Sequence, residues 1–469
     1  MKILYVIHDY LPRHQAGAEI YLGRLAGAMR DRGHEVAVFT TELDPGRPPF
    51  AMRERAHEGV PVYEVNHLRL FSDFGETWRN AEMEAQFEAL LDRLRPDAVH
   101  LHHLLYHSLR YPALARRRGL PVLFTLHDYA LLCPSLRGGQ LFDLAGERCD
   151  APAPARCGAC LAGEAAAGPE PVIRALGWLS RLGGLAPGPL KTINRELRRR
   201  MPGAVARLGE LGRRGGPRLK LGERELRARR TAVAAAVRKT DLFLAPSRHL
   251  RRRLIQAGVV PARRVRHHPY GFPLAGGRPP VRRAPRPGRL SVVFLGTLAP
   301  HKGADTLVRA VRRVDEPGLE LAVYGNDLVA PAHVAELRRL CARDPRIRLA
   351  GPCEARDVPA VMARADLLVV PSRWEENSPL VVSEAHAAGL PVAAADLGGL
   401  RELLGSGRHG PLFAPEDDRG LAAILQDLLH HPEKLADLSE RLPKPCSITR
   451  DSAGQLRILN KLIERHRSC

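Results

Sequence analysis

No apolar run in this 469-residue chain approaches the roughly 18–20 residues needed to span a bilayer, so the sequence does not read as an integral membrane protein. The N-terminus offers one lysine and the five-residue run ILYVI, against about 7–15 residues for a secretory signal core, and polar His8-Asp9 follows at once. The compartment expected is therefore the cytoplasm. Eight cysteines are too few for a disulfide scaffold, and a chain this long buries enough core to fold without one. No Asp-x-Asp pair of the kind that gathers a divalent metal occurs; Asp417 and Asp418 are adjacent and sit in an expected loop. Acidic residues are also in deficit, 51 against 72 Lys plus Arg, for a net charge of +21. Over half of that excess lies between Lys191 and Lys239, where sixteen basic residues meet four acidic ones. Such a field attracts anionic partners: nucleic acid, anionic lipid or phosphorylated substrates. Aromatic side chains that would stack on bases are missing from that stretch, which removes nucleic acid from the expected partners.

What is present is ordinary globular composition, 45% hydrophobic and 26% charged. At roughly 150 residues per domain the length suits two or three domains. Ile3–Ile7 reads as a buried parallel strand, Ile20–Met29 carries helical spacing ended by Gly33, and Glu35–Thr40 reads as a second strand. This βαβ pattern recurs at 97–102, 121–126 and 241–246, with helices near 111–118 and 224–238, and stops near Tyr270. It resumes with strands at 290–295, 319–324, 347–349, 367–370 and 392–395. The expectation is an α/β protein of two doubly wound domains facing a cleft. Residues 1–270 form the first, with a basic, Cys-containing insertion at about 135–225 whose helices fall near 172–182 and 188–209. A Gly/Pro/Arg-rich linker follows at 271–289. Residues 290–445 form the second domain, and 446–469 a C-terminal helix returning to the first.

The most informative stretch is ADLLVVPSRWEENSPLVVSEAHAAGLPV, residues 365–392. A strand ends at Val370, a loop follows, and a helix is expected to start near Pro379. A helix N-terminus offers free N–H groups and about half a positive charge, which suits a diphosphate. Glu376 on the loop can bind sugar hydroxyls, and Glu384, one and a half turns inside the helix, can accept hydrogen bonds from a ribose diol. Diphosphate, ribose and sugar are the parts of a nucleotide sugar.

These residues resemble the retaining glycosyltransferases of family 4, which have the GT-B fold of two Rossmann-like domains. The likeness rests on Glu376-x7-Glu384, on Ala385-x3-Gly389-x-Pro391-Val392, on AGAE at 16–19 with RGHEV at 32–36, on GTLAPHKG at 296–303, and on Gly398-Gly399-x2-Glu402. The resemblance implies transfer of a sugar from a nucleotide-diphosphate sugar to a glycan or lipid-linked glycan, in polysaccharide or cell-envelope synthesis, with retention of configuration and no catalytic metal or other cofactor. Glu376, His127 and Lys302 would be the catalytic group: Glu376 on donor-sugar hydroxyls, Lys302 on the diphosphate, His127 across the cleft from the reacting sugar. Glu384 would hold the ribose. Gly17 would allow close approach, and Gly296, Thr297, Asn377, Ser378, Pro379, Leu380, Val381 and Glu402 would complete the donor site. Thr297 stands where many members have Arg, and Arg373 is the expected substitute. The rival readings are a nucleotide-sugar-binding homologue without turnover and, within the fold, an epimerase or phosphorylase.

Several residues carry a plainer reading as well. His127 also reads as a histidine hydrogen-bonded at a strand end, and Glu402 as an ordinary helix N-terminal acid. His100 and His102 share one strand face, but a strand pair reads better than a metal site. Cys133, Cys149, Cys157 and Cys160 are spaced Cys-x15-Cys-x7-Cys-x2-Cys, which fits a structural zinc or buried free thiols. Trp178, Leu179, Leu182 and Leu185 beside the basic run fit peripheral contact with the anionic inner face of a membrane.

Overall fold

Two separate parallel-dominated sheets organise the computed structural model, which describes residues 1–166, 221–274, 286–327 and 329–468. The helices expected at 172–182 and 188–209, the four apolar residues Trp178, Leu179, Leu182 and Leu185, the basic run up to Lys220, and linker residues 275–285 lie outside the described residues. The first sheet comprises β1 (Lys2–Val6), β2 (Glu35–Glu42), β3 (Met52–His57), β4 (Val60–Asn66), β5 (Ala98–Leu101), β6 (Val122–Thr125), β7 (Leu242–Ala245) and β8 (Val265–His267). Its order is β3-β4-β2-β1-β5-β6-β7-β8, parallel except for the β3–β4 pair. The second comprises β9 (Leu290–Leu295), β10 (Leu319–Tyr324), β11 (Ile347–Gly351), β12 (Leu367–Val370), β13 (Val392–Ala395) and β14 (Leu412–Phe413), ordered β11-β10-β9-β12-β13-β14. In each sheet the chain winds outward both ways from one point, between β1 and β5 and between β9 and β12. Such switch points open a crevice at the carboxyl ends of the strands.

The unbroken apolar runs follow from burial on both faces. Along β1, Leu4 and Val6 join one hydrophobic cluster while Ile3, Tyr5 and Ile7 join the opposite one. In the second domain Val292 and Phe294 face one side and Val293 the other.

The β3–β4 hairpin is absent from the sequence reading because β3, MRERAH, alternates charge rather than hydrophobicity. Arg53 lies opposite Glu64 in the register, and the buried Glu64 carboxylate also accepts from Arg55 Nε at 2.9 Å and Arg47 Nη1 at 3.2 Å. A charged outer strand of this kind blunts a sheet edge. The helix Arg248–Gln256 and the three-residue β8 are not expected from the sequence either: RHLRRRLIQ is dominated by arginine, and VRH is too short to show a period.

The C-terminal helix, Ile448–Arg467, crosses from the second domain to the first. Leu459, Leu462 and Ile463 pack into the cluster containing Leu22 and Leu25 of the first helix, Gly17–Arg30. Its root is tied to the chain leaving the first domain: Phe272 N donates to Cys446 O and Ile448 N to Phe272 O, both at 2.8 Å. Buried Asp451 then gathers Tyr21 OH (2.8 Å), His268 Nε2 (2.7 Å), Gly271 N (2.8 Å) and Gln455 Nε2 (2.7 Å). Glycine is required at 271, because a Cβ there would sit 2.6 Å from Asp451 Cβ and 2.7 Å from Ile448 Cα. No helix among the described residues is long and apolar enough to cross a membrane.

Leu459 is fully buried in this seam. Leu459→Ala is therefore expected to lower stability by about 2–5 kcal/mol in chemical denaturation of the intact chain.

Candidate functional site

The loops at the two switch points face each other, and the sequence-predicted residues collect there. From the second domain come the loop after β9, which holds Gly296, Thr297 and Lys302, and the loop after β12, Pro371–Pro379. Gly303 turns the first of these with φ +68°, and a Cβ there would lie 2.0 Å from Pro371 O, so the two loops are in direct contact. The second loop feeds the helix Leu380–Ala387, which begins one residue beyond Pro379, with Pro379 itself as the cap. From the first domain comes the N-terminus of the helix Gly17–Arg30. Gly17 faces the second domain: a Cβ there would rest 3.9 Å from the Leu380 side chain, an ordinary contact. Two helix N-termini thus converge, and their first-turn N–H groups lack intrahelical acceptors.

Glu376 is buried, and its Oε1 accepts from Lys302 Nζ at 2.6 Å and from Ser372 Oγ at 2.8 Å. The Lys302 ammonium also lies 5.2 Å over the Trp374 ring. Lysine and carboxylate are therefore preassembled beside the helix N-terminus. Glu384 Oε1 accepts from Arg24 Nη2 of the first domain at 3.0 Å. Arg373 is tied to Asp305 Oδ2 and Thr306 Oγ1 at the start of the helix Ala304–Arg313.

Other expected site residues form the seam between the domains. Asn377 Nδ2 donates to His127 O at 3.1 Å, and Asn377 Oδ1 accepts from Ser247 Oγ at 2.6 Å. Glu402 accepts from the amides of Arg248 (3.0 Å) and His249 (2.9 Å), the first residues of the helix Arg248–Gln256. It is thus a helix N-terminal acid, but for a helix of the other domain. Glu375, not singled out from the sequence, meets His249 Nε2 at 3.0 Å and Arg253 Nε at 3.2 Å. Gly398 and Gly399 allow this packing: a Cβ on Gly399 would lie 1.8 Å from Asn377 O.

Across the cleft, His127 is held at both ring nitrogens, Nε2 at 3.0 Å from His102 Nδ1 and Nδ1 at 2.6 Å from Tyr270 OH. Burial pushes its pKa well below the ordinary histidine value, so the ring is neutral. His127, His103 and Asp128 line a small cavity in the first domain, open to solvent, with Trp78 and Arg229 on its wall. Beside it runs a row of titratable groups that sequence reading passed over: Glu19 Oε1 lies 3.3 Å from His8 Nε2, the His8 ring is 4.3 Å from the His103 ring, and His103 Nε2 is 2.7 Å from Asp128 Oδ2. The sequence signal was there in AGAE, HH and HD, but nothing in the spacing joins them.

The four cysteines at 133, 149, 157 and 160 line one pocket near Phe142 and Arg156. Among the described residues no group of three or more His, Cys, Asp or Glu side chains is gathered closely enough to hold a metal ion.

Glu19 generates a pH prediction. Burial raises its pKa from 4.5 to about 7. The folded chain then holds a proton that the unfolded chain releases, so stability falls as pH rises from about 4.5 to about 7. At about 1.4 kcal/mol per unit, the cost above pH 7 is about 3 kcal/mol. Glu19→Gln is expected to raise the melting temperature at pH 8 and to change it little at pH 4.

Comparison with known proteins agrees with this architecture. Residues 16–148 match the family described as Glycosyltransferase Family 4, and residues 289–431 the family described as Glycosyl transferases group 1. A D-inositol 3-phosphate glycosyltransferase of Thermobispora bispora is 27% identical over 449 residues, covering 90% of this chain and 84% of that protein. Another, from Rhodococcus erythropolis, is 33% identical over 166 residues, 34% of this chain, and the match spans only 37% of that relative's length. Among solved structures, sucrose-phosphate synthase of Thermosynechococcus elongatus superposes with TM-score 0.63 at 16% identity, covering 99% of both chains. HepE of Anabaena, in complex with UDP and glucose, gives 0.61 at 19% identity, covering 98% of this chain and 99% of that one. At these identities the structural likeness is one of fold.

Proposed function

Because the chain belongs to the glycosyltransferases, family 4 over its first domain and group 1 over its second, we propose that it moves a sugar from a nucleotide-diphosphate sugar to a glycan or lipid-linked glycan, with retention of configuration. The single observation that carries this reading is the group at the start of the helix Leu380–Ala387: the Lys302–Glu376 pair at 2.6 Å on one side of its first turn and Glu384 one turn inside it. The diphosphate rests on the first-turn amides and on Lys302, whose ammonium serves as a point charge. Glu384 takes the ribose hydroxyls. Glu376, poised by Lys302 and Ser372, takes hydroxyls of the sugar.

Chemically, the bond that breaks joins the anomeric carbon to the diphosphate oxygen, and the bond that forms joins that carbon to an acceptor hydroxyl. Negative charge grows on the departing diphosphate. Fixed positive ends of two helices and the Lys302 ammonium stabilise it without reorganising. With these groups and no Asp-x-Asp pair in the sequence, the leaving group needs no catalytic metal. The acceptor enters the cavity bounded by His103, His127 and Asp128. The names of the relatives, an inositol-phosphate glycosyltransferase and, for a Mycobacterium tuberculosis protein 32% identical over 156 residues, glycogen synthase, support glycosyl transfer and leave polyol and glycan acceptors both open to assay.

Thermal shift with UDP, ADP and GDP, and with their glucose conjugates, tests the reading. One nucleotide series at 100 times its Kd should stabilise the wild type by about 2.7 kcal/mol. Glu384→Ala should abolish that gain. Absence of a shift with every nucleotide, or an equal shift in Glu384→Ala, would overturn this assignment of the site.

A further inference from the structure

Arg24 belongs to the first domain and has no counterpart among the residues read from the sequence, yet it is the side chain that meets Glu384. It lies seven residues beyond Gly17 on the helix Gly17–Arg30, which is two turns on and nearly the same face. That face looks at the second domain: Gly17 lies against Leu380, and Arg24 against Glu384 four residues further along the opposing helix. The pair is largely withdrawn from solvent, with the arginine side chain 20% and the glutamate 16% exposed. The guanidinium is held 4.8 Å over the Phe272 ring. Its second terminal nitrogen, Nη1, is buried with no hydrogen-bond partner.

A buried guanidinium donor without an acceptor is costly, and a buried arginine stripped of its carboxylate is costlier still. If Glu384 turns both oxygens to a ribose diol, Arg24 needs a new anion. The diphosphate attached to that same ribose is the anion at hand, a turn or so along the helix toward Leu380, and guanidinium recognises phosphate oxygens through paired N–H donors.

Resting on the donor reading of Glu384 above, we propose that Arg24 is a nucleotide-binding residue supplied by the first domain: it exchanges Glu384 for the donor's diphosphate when Glu384 takes the ribose. The exchange keeps every charge partnered. It also makes the first domain read a ligand seated on the second, so that donor binding and the apposition of the domains are linked.

Titration calorimetry on the intact chain tests this with UDP, UMP and uridine, and with the corresponding ADP and GDP series, on wild type, Arg24→Ala and Arg24→Lys. The expected result is a loss of at least about tenfold in diphosphate affinity in Arg24→Ala, with the nucleoside bound no more weakly than by wild type and Arg24→Lys in between. Arg24→Lys retains the charge and guards against a folding defect, which unaltered far-UV circular dichroism and melting would exclude for both variants. Diphosphate binding equal to wild type in Arg24→Ala overturns the proposal. Tighter binding overturns it too, since Arg24 would then only mask Glu384. Failure of every nucleotide to bind wild type would instead strike the donor reading itself, and this inference with it.

Discussion

A buried side-chain amide, Asn377, holds the seam on which the site depends. Its nitrogen donates to a carbonyl of the first domain and its oxygen accepts from Ser247, so both ends of a residue from the second domain are satisfied by the first. Left unpaired, each would cost about 1–3 kcal/mol. The two domains must therefore meet at one separation. Around Asn377 the same loop places Trp374 in one hydrophobic cluster of the first domain, Leu380 joins the other, and Glu375 and Glu402 bind the helix Arg248–Gln256. Most of these cross-domain ties are polar. Polar ties exchange readily for water, whereas the apolar packing within each sheet does not. The fold thus separates two kinds of interface: rigid layers within each domain and a breakable seam between them.

Why the chemistry sits at that seam follows from parallel topology. Each parallel strand must be followed by a crossover, and where a helix follows closely, its N-terminus lies at the strand's carboxyl edge. Facing two such edges brings positive helix ends together. The sequence then adds carboxylates, Glu376 and Glu384, whose charge those helix ends favour and which Lys302 and Arg24 pair. On the first-domain side the residues are different in kind. Apart from Arg24 and the helix end at Gly17, neutral His127 and the Glu19–His8–His103–Asp128 row offer donors and acceptors for hydroxyl groups.

Much of the architecture was legible from residues near one another in the chain. Buried parallel strands are short unbroken apolar runs, and β1, β9, β12 and β13 announce themselves so. The placement of Glu376 and Glu384 between a strand end and a helix start was legible for a related reason, since local pattern reveals it, whereas Lys302 was singled out by the family resemblance. The β3–β4 hairpin was not, because its outer strand is stabilised by Arg53, Arg55 and Glu64 rather than by apolar alternation.

The sequence by itself determined two doubly wound domains and the strand–loop–helix unit carrying Glu376 and Glu384, because each depends on periodicity and spacing within a few dozen residues; the glycosyltransferase resemblance rested on motifs spread from Ala16 to Glu402. Only the tertiary structure decided that Arg24 faces Glu384 across 360 positions of chain, that Glu402 caps a helix of the other domain, and that Asp451 ties the returning C-terminal helix to Tyr21 and Gly271. Those contacts join residues whose separation in sequence carries no period. They exist because two separately wound sheets meet across a seam whose geometry is set by packing and by paired polar groups, not by local pattern.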